Sequence, residues 1–183
     1  MSTISTGATD TEFEQALTPP GWVYSDAALF QREQETLFRK QWLCAGHKSR
    51  LLKPGDYFVV NFGGDSVIVS MGAQGQLNAF HNVCRHRGTR LADAGSGNAR
   101  QFLCPYHAWS YSPDGALLAA PGMDERPDFC KGDYSLLPVS IQTWNGFLFI
   151  NLDASAADIK DTWPEMPDLS DYDMSASVWV KLR

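Results

Sequence analysis

Two short runs decide the fold: NVCRHRG at residues 82–88 and CPYHAWSY at residues 104–111. Each sets a thiol and an imidazole two or three positions apart, as Cys84-x-His86 and, seventeen residues later, Cys104-x-x-His107. The chain has four cysteines and four histidines, so half of each type sits in these runs. Thiolates and imidazoles suit zinc or iron–sulfur iron, and two short loops can bring four such ligands to one point. Structural zinc sites usually pair Cys with Cys and His with His along the chain. One thiolate and one imidazole from each loop suits instead two iron atoms bridged by sulfides. On residue type alone, a zinc-binding interaction module stays the non-redox alternative.

The rest of the composition narrows the classes. At 183 residues the chain is long enough for one domain with a sizeable core plus extensions. Hydrophobic residues make up 44%, which argues against disorder over most of the length. A net charge of −6 argues against nucleic acid or an anionic membrane as partner. No run reaches the length of a membrane span, and the first residues, MSTISTGATDTEFEQ, lack a secretory pattern. A reducing cytoplasm follows as the expected compartment, where cysteines act as ligands or free thiols before disulfides.

Along the chain, residues 1–20 read as a mobile arm ending in Pro19-Pro20. SDAALFQREQETLFRKQWL (25–43) reads as a helix, with Ser25 as its N-cap and Leu29, Phe30, Leu37, Phe38 and Trp42 on an apolar face. From there the pattern is β. Runs at 57–62, 66–70, 76–80, 101–103, 109–111, 116–121, 136–144 and 147–152 alternate with turn signals such as Gly63-Gly64-Asp65, Ser112-Pro113-Asp114-Gly115 and Asn145-Gly146. Many short strands and no second long helix predict a mainly β, antiparallel domain over 51–152, behind an N-terminal arm and helix at 1–50. Residues 153–183 read as an acidic linker: seven Asp or Glu fall between Asp153 and Asp173, Pro164 and Pro167 interrupt any element, and SVWVKLR at the end suits a further strand.

The two boxes, with Gly88 after the first pair and Pro105 inside the second, resemble the cluster-binding boxes of the Rieske family. That resemblance implies packed small sheets with two cluster-binding loops. It also implies a 2Fe–2S cluster in which Cys84 and Cys104 hold one iron and His86 and His107 the other. Two ferric ions, two sulfides and two thiolates sum to zero charge, so such a cluster accepts an electron more readily than an all-thiolate one. The leader GWVYSDAALFQREQETLFRKQWLCAGH (21–47) and the boxes through residue 117 look like the α subunits of ring-hydroxylating Rieske oxygenases, which often carry Gly where Ala108 stands. By that likeness the chain passes single electrons from an NAD(P)H-dependent reductase or ferredoxin to a mononuclear Fe(II). The iron belongs to the catalytic domain of the same or a neighbouring α subunit, which hydroxylates or demethylates an aromatic or quaternary-amine substrate.

That iron is held in the family by two His and one carboxylate. Here no His follows residue 107, so the catalytic site is expected outside this sequence and the linker is expected to lead to it. A free-standing Rieske-type ferredoxin is the alternative. Of the remaining residues, His47 reads as a hydrogen-bonded structural side chain, and His81 as a neighbour of the cluster. Cys44 and Cys130 read as buried or idle thiols. Arg85, Arg87 and Arg90 read as a solvated basic loop or as positive charge facing the cluster and an acidic partner. Tyr106 and Trp109 read as aromatic packing that also shields the cluster.

Overall fold

A computed structural model describes residues 18–180 apart from 63, 124, 170 and 179. Most of the anticipated arm, Gly63 of the first hairpin turn, and Trp179 and 181–183 of the last run lie outside the described residues. The chain divides into two compact units, one ending at Leu37 and one beginning at Phe38.

In the first unit a 3-10 turn at Gly21–Tyr24 precedes α1, Ala27–Glu33. The cap is Asp26 rather than Ser25: its carboxylate accepts the Leu29 N–H at 2.7 Å, while the Ser25 hydroxyl turns back to the Trp22 carbonyl. The helix is also shorter than its apolar spacing predicts. It loosens into a π turn at Gln34–Phe38, and Leu43 already belongs to a strand. The cause lies in tertiary contacts that local periodicity cannot report. Trp42, 3% exposed, donates its indole N–H to the distant Ala157 carbonyl, which takes the chain out of the helix.

The sheets of the second unit are all antiparallel, as predicted for 51–152. Its strands are β1 (Leu43–His47), β2 (Asp56–Phe62), β3 (Asp65–Met71), β4 (Leu77–His81), β5 (Ser96–Asn98), β6 (Phe102–Leu103), β7 (Ser110–Tyr111), β8 (Leu117–Ala119), β9 (Ser140–Trp144) and β10 (Phe147–Asn151). They form three sheets with strand orders β1-β10-β9, β4-β3-β2-β5 and β6-β7-β8. The middle sheet explains the near-continuous apolar runs of β2 and β3. Successive side chains point to opposite faces, and both faces are covered. Val59 and Ile68 enter one core with Cys84, Cys104, Trp109 and Tyr111. Phe58, Val67 and Val69 enter a second core with Leu148 and Ile150.

Residues 153–180 are less extended than a linker reading implies. A single-turn helix, α2 (Ile159–Thr162), is capped by Asp158, and Ile159 is buried with its N–H on the Gln142 side-chain oxygen at 2.9 Å. Further on, the Met174 carbonyl meets the buried His47 ring.

The β9–β10 turn carries positive φ at both Asn145 (47°) and Gly146 (85°), the pairing that a tight primed hairpin turn requires. Gly146 is further constrained because a Cβ there would overlap His47 Nε2. Gly146→Ala is therefore expected to destabilise the chain by roughly 1–3 kcal/mol, since backbone strain and side-chain overlap add. Urea denaturation with the Asn145→Gly variant as control would measure it.

Candidate cluster-binding site

The two boxes fold into two loops with one backbone pattern. In the first, between β4 and β5, the Cys84 N–H donates to the Thr89 carbonyl at 2.8 Å, and the Gly88 N–H donates back to the Cys84 carbonyl at 2.9 Å. In the second, between β6 and β7, the Cys104 N–H donates to the Trp109 carbonyl at 2.7 Å, and the Ala108 N–H to the Cys104 carbonyl at 3.0 Å. The same pairs of positions relative to the cysteine are used each time. The fourth residue after each cysteine is left-handed: Gly88 has φ 74° and Ala108 φ 57°. Glycine adopts this region freely, whereas alanine there is strained by about 1 kcal/mol.

These loops carry the four sequence-predicted ligands as a thiol pair in one core and an imidazole pair in ring contact. Cys84 and Cys104 are buried, 2% and 3% exposed. The His86 and His107 rings lie edge to face, with centroids 4.6 Å apart. Both rings are half-exposed, yet Nδ1 of each is buried without a hydrogen-bond partner. A buried polar atom with no partner is costly, by about 1–3 kcal/mol. Two of them beside two buried thiols form a donor set that a metal centre would satisfy, so the residues present fit a His- and Cys-ligated cluster. Among the described residues no three His, Cys, Asp or Glu side chains converge on a point that could hold a single ion.

The protonation preferences agree with ligation. Burial, then the neighbouring His107 and Arg87, hold His86 below the ordinary imidazole value, which favours the neutral ring that a metal needs. Burial pushes the Cys104 thiol up. Backbone N–H groups of His107 and Tyr106, with hydrogen bonds from Cys84 and Thr89, outweigh that and bring it below the usual thiol value. Burial, then the hydrogen bond with Cys84, raises Tyr111 well above a free phenol.

Two residues supporting the loops were not singled out from sequence. Asn82, 1% exposed, uses its full hydrogen-bonding capacity. Its amide donates to Ser66 Oγ at 3.1 Å and the Ala92 carbonyl at 2.7 Å, and its oxygen accepts the Leu91 and Ala92 N–H groups. It thereby ties β3 to both ends of the first loop. Tyr111 is fully buried; its hydroxyl accepts the Arg85 N–H at 3.0 Å and shares a hydrogen bond with Cys84 Sγ at 3.4 Å. Asn82 stood in the quoted run as an unremarkable loop residue, and Tyr111 as a strand aromatic. Only the fold puts either beside a thiol.

The other candidates separate clearly. Trp109 is buried and stacks on His86, centroids 4.9 Å apart and 7° from parallel, while the exposed Tyr106 lies over His107. Arg85 is half-buried and reaches the Asp133 carbonyl, whereas Arg87 and Arg90 are exposed. His47 is the structural histidine anticipated: Nδ1 accepts the Ser49 N–H, Nε2–H donates to the Met174 carbonyl at 3.1 Å, and the ring meets Phe147 edge-on. His81 lies on β4 opposite Val67. Cys44 and Cys130 are free thiols but exposed rather than buried, since neither joins a core.

A family model described as Rieske [2Fe-2S] domain matches residues 41–144. The chain belongs to the Rieske family. Its cofactor class is accordingly a 2Fe–2S cluster. Among characterised proteins it is 38% identical to the carnitine monooxygenase oxygenase subunit of Acinetobacter pittii, over 84% of this chain and 41% of that one. It is 40% identical to the glycine betaine monooxygenase oxygenase subunit of Pseudomonas aeruginosa, over 75% of this chain and 32% of that one. A solved quaternary ammonium Rieske monooxygenase, whose structure bears on carnitine oxidation and inter-subunit electron transfer, superposes with a TM-score of 0.76 at 38% identity. That match covers 81% of this chain and 41% of the solved one. The chain thus spans about two fifths of the length of the carnitine relative.

Two substitutions probe the loops. Ala108→Gly is expected to raise unfolding stability by about 0.5–1 kcal/mol by relieving the left-handed alanine, with the visible spectrum of the loaded protein unchanged. Asn82→Leu strands four partner groups and is expected to cost about 3 kcal/mol or more, with reduced cluster content measured by iron analysis.

Proposed function

We propose that this chain is the electron-transfer part of a Rieske oxygenase subunit, and that Cys84, Cys104, His86 and His107 hold its cluster. The observation that carries the reading is the pair of buried, unpartnered Nδ1 atoms set beside two buried thiols. A 2Fe–2S cluster bound there supplies a one-electron relay. Cys84 and Cys104 would take one iron from the buried side, and His86 and His107 the other from the half-exposed side. The protein's part is then to hold four donors, exclude water and present the imidazole edge to a partner. Trp109 stacked on His86 and Tyr106 over His107 limit how far either ring can turn. With Cys84 as a thiolate ligand, the Tyr111 hydroxyl beside it would donate to Sγ, which would stabilise the more negative, reduced level.

The proposed donor is an NAD(P)H-dependent reductase or a ferredoxin. The proposed acceptor is a mononuclear iron in the catalytic domain of the same or a neighbouring α subunit. We assign residues 1–50 to an arm and helix that run into β1 of the first sheet, 51–152 to the rest of the Rieske domain and 153–183 to an acidic segment leading toward the catalytic part, with the whole in the cytoplasm. No helix among the described residues is long and apolar enough to cross a membrane. The relatives named carnitine and glycine betaine monooxygenase favour a quaternary amine over an aromatic hydrocarbon as the parent's substrate.

The test is electron paramagnetic resonance of the dithionite-reduced protein with iron and sulfide assays on the same sample. A rhombic signal of low average g, with iron and sulfide in equal amounts, is expected. A silent sample containing zinc, which iron and sulfide fail to reconstitute, would overturn the assignment. Tyr111→Phe is expected to keep the signal and lower the reduction potential, because one hydrogen bond to a ligand sulfur is lost. His107→Cys is expected to lower it further or to abolish the cluster. An unchanged potential and spectrum in His107→Cys would remove that residue from the ligand set.

A further inference from the structure

A second concave surface shares no residue with the cluster loops. Trp144 closes β9, Phe149 lies in β10 opposite Gln142, and Trp163 follows α2. With Pro164, Glu165 and Met166 they line a groove of about 560 Å³, within the range of small-molecule sites. Phe149 meets both indoles across angled contacts: centroids lie 6.4 Å apart at 62° to Trp144 and 5.6 Å apart at 81° to Trp163. The rings therefore make a corner of differently directed faces, not a stack, and all three stay half-exposed.

The third wall is fixed in advance. Trp42 holds the Ala157 carbonyl at 3.1 Å, Gln142 holds the Ile159 N–H at 2.9 Å, and the Trp163 N–H closes on the Ile159 carbonyl at 2.8 Å. Ile159 beneath is 2% exposed. Three hydrogen bonds and a buried anchor thus place Trp163 against the sheet, so the corner needs no rearrangement to receive a ligand.

The chemistry of this lining is selective. Aromatic faces carry negative quadrupole, and the Glu165 carboxylate adds a formal negative charge, so the groove favours a cation. It offers few acceptors for a primary ammonium, which is compact and strongly hydrated. A methylated ammonium has a large, weakly hydrated surface and no N–H that must be satisfied. We propose that this groove binds a quaternary ammonium head group, apart from the cluster. The inference stands on the groove's own residues and not on the parent's proposed substrate.

The experiment is isothermal titration calorimetry on the 183-residue chain with choline and tetramethylammonium chlorides. The uncharged carbon analogue 3,3-dimethylbutan-1-ol serves as the control of matched shape. Saturable binding of both cations is expected, with the alcohol about tenfold weaker or more. Trp163→Leu is expected to weaken choline by about fivefold, and Glu165→Gln by about twofold to threefold. Because Trp163→Leu removes a ring packed on Phe149, the exposed Glu165→Gln keeps the test independent of folding. Equal binding of the alcohol would mean a merely apolar groove and would overturn the proposal. So would no saturable binding, or choline affinity indifferent to both substitutions. Turnover of quaternary amines by a longer parent is not measured in this titration, so the two readings fail separately.

Discussion

The rest of the structure is arranged around two loops that keep the Cys84 and Cys104 thiols buried and leave Nδ1 of His86 and His107 buried with no hydrogen-bond partner. Buried polar atoms ordinarily find hydrogen bonds, and the bare Nδ1 atoms of His86 and His107 break that rule together. Such a state persists only if the surroundings over-determine it. The surroundings do so in three ways. Each loop closes on its own cysteine through the same pair of backbone bonds. Asn82 spends its entire hydrogen-bonding capacity binding the first loop to β3. Stacked aromatic rings then limit the rotation that would let either imidazole recover a water partner.

The two loops resemble each other more in backbone than in sequence. Cys-Arg-His-Arg-Gly-Thr and Cys-Pro-Tyr-His-Ala-Trp share only the cysteine at the first position, and the histidine shifts from the third place to the fourth. Yet both close with the same hydrogen bonds and turn left-handed at the fifth place. The shift of one residue lets two loops with like backbones approach with imidazoles edge to face instead of colliding. The strained position is filled differently, by Gly88 in one loop and Ala108 in the other. The second loop therefore carries a strain that the first avoids, which is tolerable because Ala108 is exposed and its small side chain meets solvent.

This pattern also explains how much was legible in advance. The candidate ligand set could be named because metal chemistry restricts residue type and spacing within a few positions, and the strands could be read because sheet periodicity is local. Eight runs anticipated as strands each contain one. What failed depends on distant partners. β1 is not legible locally because Leu43 reads as the end of the anticipated helix and Cys44-Ala45-Gly46-His47 has no strand signal of its own; pairing with β10 makes it a strand. β5, Ser96–Asn98, carries no apolar signal and exists by pairing with β2. Asn82 and Tyr111 had no local signature, since their importance lies in contacts to residues as far as twenty-seven positions away. Residues 153–180 read as a linker from charge and proline, and the buried Ile159 that anchors them looks in sequence like one apolar residue among acids.

β3 joins these observations into one mechanical argument. Its alternation sends Ile68 into the core that holds the thiols, and Val67 and Val69 into the core beneath β1, β9 and β10. A change in the second core can loosen the β1-β10-β9 sheet and the segment pinned to it while the donor set keeps its own contacts. A change at Ile68 or Asn82 bears directly on the ligand loops. The two faces of one strand thus separate the core that supports the two Cys-and-His loops from the core that supports the following chain. On that second side, Ile159 and Trp163 hold the following chain to Gln142 and Phe149 of the β9–β10 hairpin.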